Sequence, residues 1–193
     1  MGRSMAVALA VGVLWGSIRP LAQEQSFPHT KQRGRATVEY KDDILQVVAS
    51  YDYSQRNHES PWLLVDLAAW TERRLILDRD NITLVTPSGS HTMVAAQRRF
   101  LQDSSRISSL RQNAQMWKRQ LNIYLSPLAP REALKFFALP GEGIVADTAL
   151  LDKDRVTMGE VFFEMPLGEW ERGTYALVFD HPYARASLPI TLE

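Results

Sequence analysis

Imidazole is the side chain best suited to proton transfer near neutrality and to holding transition metals, so the histidines are where chemistry would start. There are four, His29, His58, His91 and His181, and no cysteine. None is paired with another at i,i+4, and none has an acid at the spacing of a zinc-binding helix. All four fall in leader, loop or turn segments. A site at one end of the fold would need His58, His91 and His181 to converge from separate loops, whereas exposed turn histidines need nothing further. Ser88-Gly89-Ser90-His91 sets hydroxyls beside an imidazole, but the Gly-x-Ser-x-Gly elbow is missing and no acid is placed to orient the base. Asp78-x-Asp80-Asn81 opens like a calcium loop yet lacks the following Gly and the distal bidentate Glu. A turn whose Asp and Asn side chains bond the local backbone fits those residues better. Asn81-Ile82-Thr83 has the form of a glycosylation acceptor. Trp62, Trp70, Tyr51 and Tyr53 would supply a sugar-stacking platform on a β face; aromatics at strand positions belong more simply to the core. Trp170, flanked by Glu169 and Glu171, fits the core least well. The expectation is a chain without catalytic residues, metal or cofactor.

Charge is balanced in sum, with a formal net charge of zero, which argues against a nucleic-acid partner. Locally it is not balanced. Arg98, Arg99, Arg106, Arg111, Lys118 and Arg119 stand against the single acid Asp103, while acids dominate from Glu142 onward. Such asymmetry serves either complementary packing inside one fold or an interaction face. If it is a face, Arg106, Arg111, Lys118 and Arg119 form the partner-binding patch.

The elements that must position these residues begin with a leader. Arg3, the apolar run Ala6 to Ile18 and the small residue Ala22 follow the order of a secretory signal peptide over residues 1–22. An uncleaved anchor is the other reading, although about 13 apolar residues fall short of the roughly 20 that span a bilayer. No later segment is apolar and long enough to do so. Export implies a periplasmic or secreted protein, and without cysteine it must be held by core burial alone. Removing the leader leaves roughly 170 residues, enough for one domain with its own core. The apolar fraction of 45% suits a globular chain.

Residues 23–35 read as a flexible leader into a single domain over 36–193. Residues 36–40 and 44–51 flank a short polar break and read as a hairpin. Trp62 to Trp70 reads as a central strand covered on both faces, with Leu63, Val65, Leu67 and Ala69 on one side and Trp62, Leu64, Asp66, Ala68 and Trp70 on the other. Residues 75–77 are a short apolar stretch, and residues 82–86, 91–96, 144–151, 161–164, 174–180 and 186–192 read as further strands, with Pro87-Ser88-Gly89-Ser90 as a turn. Pro189 places the last strand at a sheet edge. Residues 132–139 suit a helix or a strand, with a short helix preferred because Pro130 precedes them. One good helix is expected over about 104–121, capped by Asp103 or Ser104, because Ile107, Leu110, Ala114, Trp117 and Leu121 form one apolar stripe. The fold class is therefore mostly β, an immunoglobulin-like antiparallel β-sandwich with one inserted α-helix.

The order WLLVDLAAW, DNITLVTPSG, DRVTMGEVFFEMPLGEW and GTYALVF is similar to the pattern of small secreted bacterial immunoglobulin-like domains, including uncharacterised telokin-like ones. The resemblance covers residues 62–95 and 155–180 and misses the helical region. It implies architecture and carries no catalytic residues. The expected function is an exported, non-enzymatic module with a binding or adaptor role toward another envelope or secreted protein. The alternative is a hydrolase or carbohydrate-binding accessory with a loop-built site at one end of the sandwich. A third reading, peripheral membrane binding through the helix, requires Trp117 and Leu121 to face solvent.

Overall fold

Residues 26–125, 129–165 and 169–193 are described by a computed structural model, and the expected signal peptide lies outside the described residues. Inside the segment read as a leader, Thr30–Gly34 forms strand β1, antiparallel to β2 (Thr37–Lys41). A polar strand is possible there because it sits at a sheet edge with four of its five residues exposed. β2 and β3 (Leu45–Ser50) make the expected hairpin. Its turn is closed by Asp42, whose Oδ1 accepts from the Ile44 and Leu45 amides at 2.8 and 2.7 Å. A short helix α1 (Asp52–Arg56) leads into β4 (Trp62–Thr71). β5 (Leu75–Asp78) follows, then the hairpin of β6 (Ile82–Val85) and β7 (His91–Met93). Gly89, at φ 87°, makes the turn between these two strands.

After β7 come two helices, α2 (Gln97–Gln102) and α3 (Ser104–Ala114), and two 3-10 turns at Gln115–Trp117 and Leu121–Tyr124. Strands β8 (Arg131–Leu134), β9 (Thr148–Leu151), β10 (Val156–Glu164), β11 (Gly173–His181) and β12 (Ala184–Leu192) complete the chain.

The strands assemble as a six-stranded sheet in the order β1-β2-β3-β4-β10-β8, a four-stranded sheet β12-β11-β6-β7 and a two-stranded ribbon β5-β9. The protein is mostly β and sandwich-like. One buried cluster fills the space between the sheets. It takes Leu63, Val65, Leu67 and Ala69 from β4, Val161 and Phe163 from β10, Ile82 and Leu84 from β6, Tyr175, Leu177 and Phe179 from β11, and Leu188 and Ile190 from β12. The alternation read from β4 is thus realised, and fully burying each of these larger side chains contributes about 2 kcal/mol. Pro189 lies on β12 at the sheet edge, where its missing amide costs no ladder bond.

Several expectations are corrected. Residues 131–134 are strand, not helix. β8 pairs with β10 in parallel, a register in which Leu134 faces Gly159, so the pairing is not antiparallel throughout. The strand expected over 144–151 forms only over Thr148–Leu151, after a loop holding Gly141 and Gly143 at φ 89° and 113°. The single helix expected over 104–121 ends at Ala114 and is preceded by an unforeseen helix α2. The cause is what lies beneath: Ile107, Leu110 and Ala114 pack on Trp62, Leu64 and Phe162, but Leu121 belongs to a separate cluster with Val48, Ala68 and Val156. The chain breaks its helix to cross from one apolar patch to the other. Asp103 does not cap α3 with its side chain; its carboxylate accepts from Trp62 Nε1 at 2.7 Å and from Arg106 at 3.2 Å.

Candidate functional site

Between those two apolar patches, the outer face of the six-stranded sheet is charged. Asp66 on β4 and Glu160 on β10 are direct cross-strand partners. Two carboxylates so placed repel each other unless cations intervene. The cations come from the helical cover. Lys118 Nζ lies 2.9 Å from Glu160 and 3.9 Å from Asp66. Arg111 reaches Glu160 at 2.8 Å and Glu142 at 2.6 Å. Arg119 meets the buried Asp52 at 3.0 Å, and Asp52 also accepts from Ser50 Oγ at 3.2 Å. The four residues read as a partner patch are therefore brought together on one cover, and each is ion-paired within the molecule; Arg106 pairs with Asp103.

The belt shifts its members' protonation. Burial pushes Asp66 from 3.8 up to about 7; Lys118 opposes that rise, whereas Glu160 and Asp52 add to it. Burial works against the Lys118 ammonium, but its hydrogen bond to Glu160 and the attraction of Glu160 and Asp66 win, so its pKa is raised. Arg111 is raised in the same way, by Glu160 and Glu142 against burial. Glu142 is held below its usual range, first by the Leu139 amide at 2.8 Å and then, against its partial burial, by Arg111. A cavity of about 270 Å³ opens beside Arg111, Lys118, Glu142 and Glu160.

The other sequence candidates stay apart. His29 is exposed and edges the Tyr40 ring, with centroids 6.0 Å apart. His58 is half-buried, and its carbonyl accepts from the Trp170 amide at 3.2 Å. His91 is exposed on β7, and His181 Nδ1 accepts from the Tyr183 amide in the β11–β12 turn at 3.2 Å. Among the described residues no group of three or more His, Asp or Glu is placed to hold a metal ion. Ser88 Oγ contacts Thr86 at 2.8 Å and Glu171 at 3.0 Å. The Asp78–Asn81 segment is a 3-10 turn that bonds local backbone: Asn81 Oδ1 accepts from the Asp78 amide at 2.9 Å. Trp62, Tyr51 and also Trp170 are core residues, so no sugar platform is built from them.

Sequence reasoning missed a cavity of about 450 Å³ at the Asp78–Asn81 turn, also lined by Val94 and Asp147. Its wall holds the buried Arg79, which donates to the Phe136 carbonyl at 2.7 Å and pairs with Asp147 at 2.9 Å. Arg79 Nε has no hydrogen-bond partner among the described residues. The signal available was a lone Arg inside an acidic turn, which does not by itself distinguish a buried cation from an exposed one.

Of the helical stripe, Ile107, Leu110, Ala114 and Leu121 are buried and Trp117 is exposed, with the Arg56 guanidinium 4.3 Å from its ring centroid, so the stripe as read does not face solvent as a whole. Among the described residues no helix is long and apolar enough to cross a membrane. Comparison with protein families, with curated proteins and with solved structures finds no match to this chain.

Proposed function

We propose that the chain is an exported, non-enzymatic immunoglobulin-like module, acting in the cell envelope or outside the cell as a binding or adaptor domain for another envelope or secreted protein. The sandwich supplies a filled core and the helical cover supplies the contact face. One observation carries this reading. Three cations of the cover point outward, and the acids that balance Lys118 and Arg119 lie beneath. Arg106, Lys118 and Arg119 side chains are 58%, 54% and 59% exposed, against 6%, 19% and 16% for Asp52, Asp66 and Glu160. Internal pairing therefore fixes the basic side chains in place without hiding them, which lowers the entropy lost when a partner orders them.

The test is affinity capture from the native envelope, comparing the unaltered chain with an Arg106→Glu/Arg119→Glu variant whose fold is checked by circular dichroism. The expected result is a partner whose recovery drops at least tenfold with the variant. Equal recovery, or no partner, removes this face from consideration.

A further inference from the structure

Four of the eight exposed large apolar side chains among the described residues lie on the cover. Leu101, Met116, Trp117 and Ile123 are exposed within the 23 residues from Leu101 to Ile123, and Met116, Trp117 and Ile123 sit on the two 3-10 turns at its end, at 79%, 37% and 52%. Isolated apolar residues on a surface are ordinary. Here they share a segment with Arg98, Arg99, Arg106, Arg111, Lys118 and Arg119, opposed in sequence by Asp103 alone. Of the acids that pair with that segment, Asp52, Asp66, Glu160 and Glu164 lie on the sheet side and are at most 19% exposed, Asp103 lies on the cover at 20%, and Glu142, paired with Arg111, is 41% exposed. Arg56 adds a further cation, stacked on Trp117 and in no ion pair among the described residues.

From these placements we infer that the Met116–Ile123 end of the cover seats on an anionic lipid surface. Met116 and Ile123 enter the headgroup and acyl boundary, Trp117 lies at headgroup level, and Arg56, Lys118 and Arg119 face the lipid phosphates. Protruding apolar side chains ringed by cations, with an indole between, are the arrangement that binds an interface by apolar burial plus attraction to negative headgroups. An acidic protein surface would be met by the cations but leaves two long apolar side chains without a use, which is why lipid is the occupant favoured. The inference rests on the module reading only for placing the chain near a membrane. It differs from the stripe considered from sequence, because Leu121 is inside and Met116 and Ile123 take its place.

The absence of cysteine makes a site-specific test direct. In the full chain, Met116→Cys carries an environment-sensitive fluorophore as its only thiol label, and Tyr183→Cys, 77% exposed in the β11–β12 turn, is the control. Each is mixed with phosphatidylcholine vesicles with and without phosphatidylglycerol. The label at 116 is expected to shift to the blue and to be quenched by nitroxide lipid on anionic vesicles only, while the label at 183 is unmoved. Arg56→Gln should weaken that binding about fivefold, and in a chain reporting through a label at Gln112→Cys, Met116→Ser with Ile123→Ser should weaken it about tenfold or more. Both altered side chains are exposed, so the variant keeps its core. A label at 116 indifferent to anionic vesicles, equal shifts at 116 and 183, or binding that ignores Met116→Ser/Ile123→Ser overturns the inference. A label at 116 shielded by a captured protein and not by vesicles overturns it in favour of protein docking. Vesicle binding can fail while the capture experiment succeeds, so the two readings fall separately.

Discussion

Asp66 shows how a single residue acquires its character from its surroundings. On β4 it takes an outward position, facing Glu160 of β10 across one ladder and Ser50 of β3 across the other. Burial holds its carboxyl at about 7, well above 3.8, so the folded protein keeps a proton that the unfolded chain releases. The stability this proton contributes is fully present below pH 3.8 and is lost as pH rises through about 7. Asp66→Asn removes that dependence. Urea unfolding should therefore show the variant gaining on the parent between pH 5 and pH 8; a difference that stays constant over that range would show that Asp66 is not buried as described. Arg111, Lys118 and Arg119 were legible as a basic cluster, but their acidic partners were not. Glu160 is 42 residues from Lys118, and Asp52 is 67 from Arg119. No local spacing rule links residues that far apart.

Among the elements whose type the sequence did not settle, β8 is instructive, and the reason is Gly159. A Cβ there would lie 2.5 Å from the Leu134 carbonyl oxygen and 2.7 Å from its Cβ. The strand beside β10 comes that close only because position 159 has no side chain. Pro130 just ahead of residues 131–134 suited a helical start, and nothing nearby in sequence marks the glycine, 25 residues further on, as the seat of a parallel neighbour. Gly159→Ala should cost about 2 kcal/mol by forcing β8 off its partner. Thermal or urea unfolding checks it, and an unchanged midpoint would mean that β8 does not pack there. α3 was visible because Ile107, Leu110 and Ala114 recur at helical spacing. Its early end was not visible, since Trp117 and Leu121 continue the same period; the separation of the two apolar patches beneath decides where the helix stops.

In the whole molecule three layers depend on one strand. β4 gives one face to the inter-sheet core and the other to the helical cover, so both layers register against it. The cover is held by two smaller clusters and by ion pairs, whereas the sandwich is held by one large continuous core. Elements with fewer buried apolar contacts open first. Amide hydrogen exchange should therefore be faster in α2 and α3 than in β3, β4 and β10, and 0.5 M salt should widen the gap by screening the belt's exposed cations. Ile107→Ala, which empties a fully buried position, should accelerate exchange in the helices while leaving the central strands near their original rates; uniform acceleration would show that cover and sandwich unfold as one unit.

What the residues determined by themselves is the mostly-β class, the alternation along β4, the β2–β3 hairpin, the edge position of Pro189 and the existence of α3. Each follows from a period or a turn spanning a few positions, which the backbone imposes locally. The tertiary structure alone decided that β1 joins the sheet, that β8 runs parallel to β10, that α3 stops at Ala114 and that the basic residues of the cover meet Asp52, Asp66 and Glu160. Those outcomes depend on which distant surfaces come into contact, and a surface exists only once the strands that form it have paired.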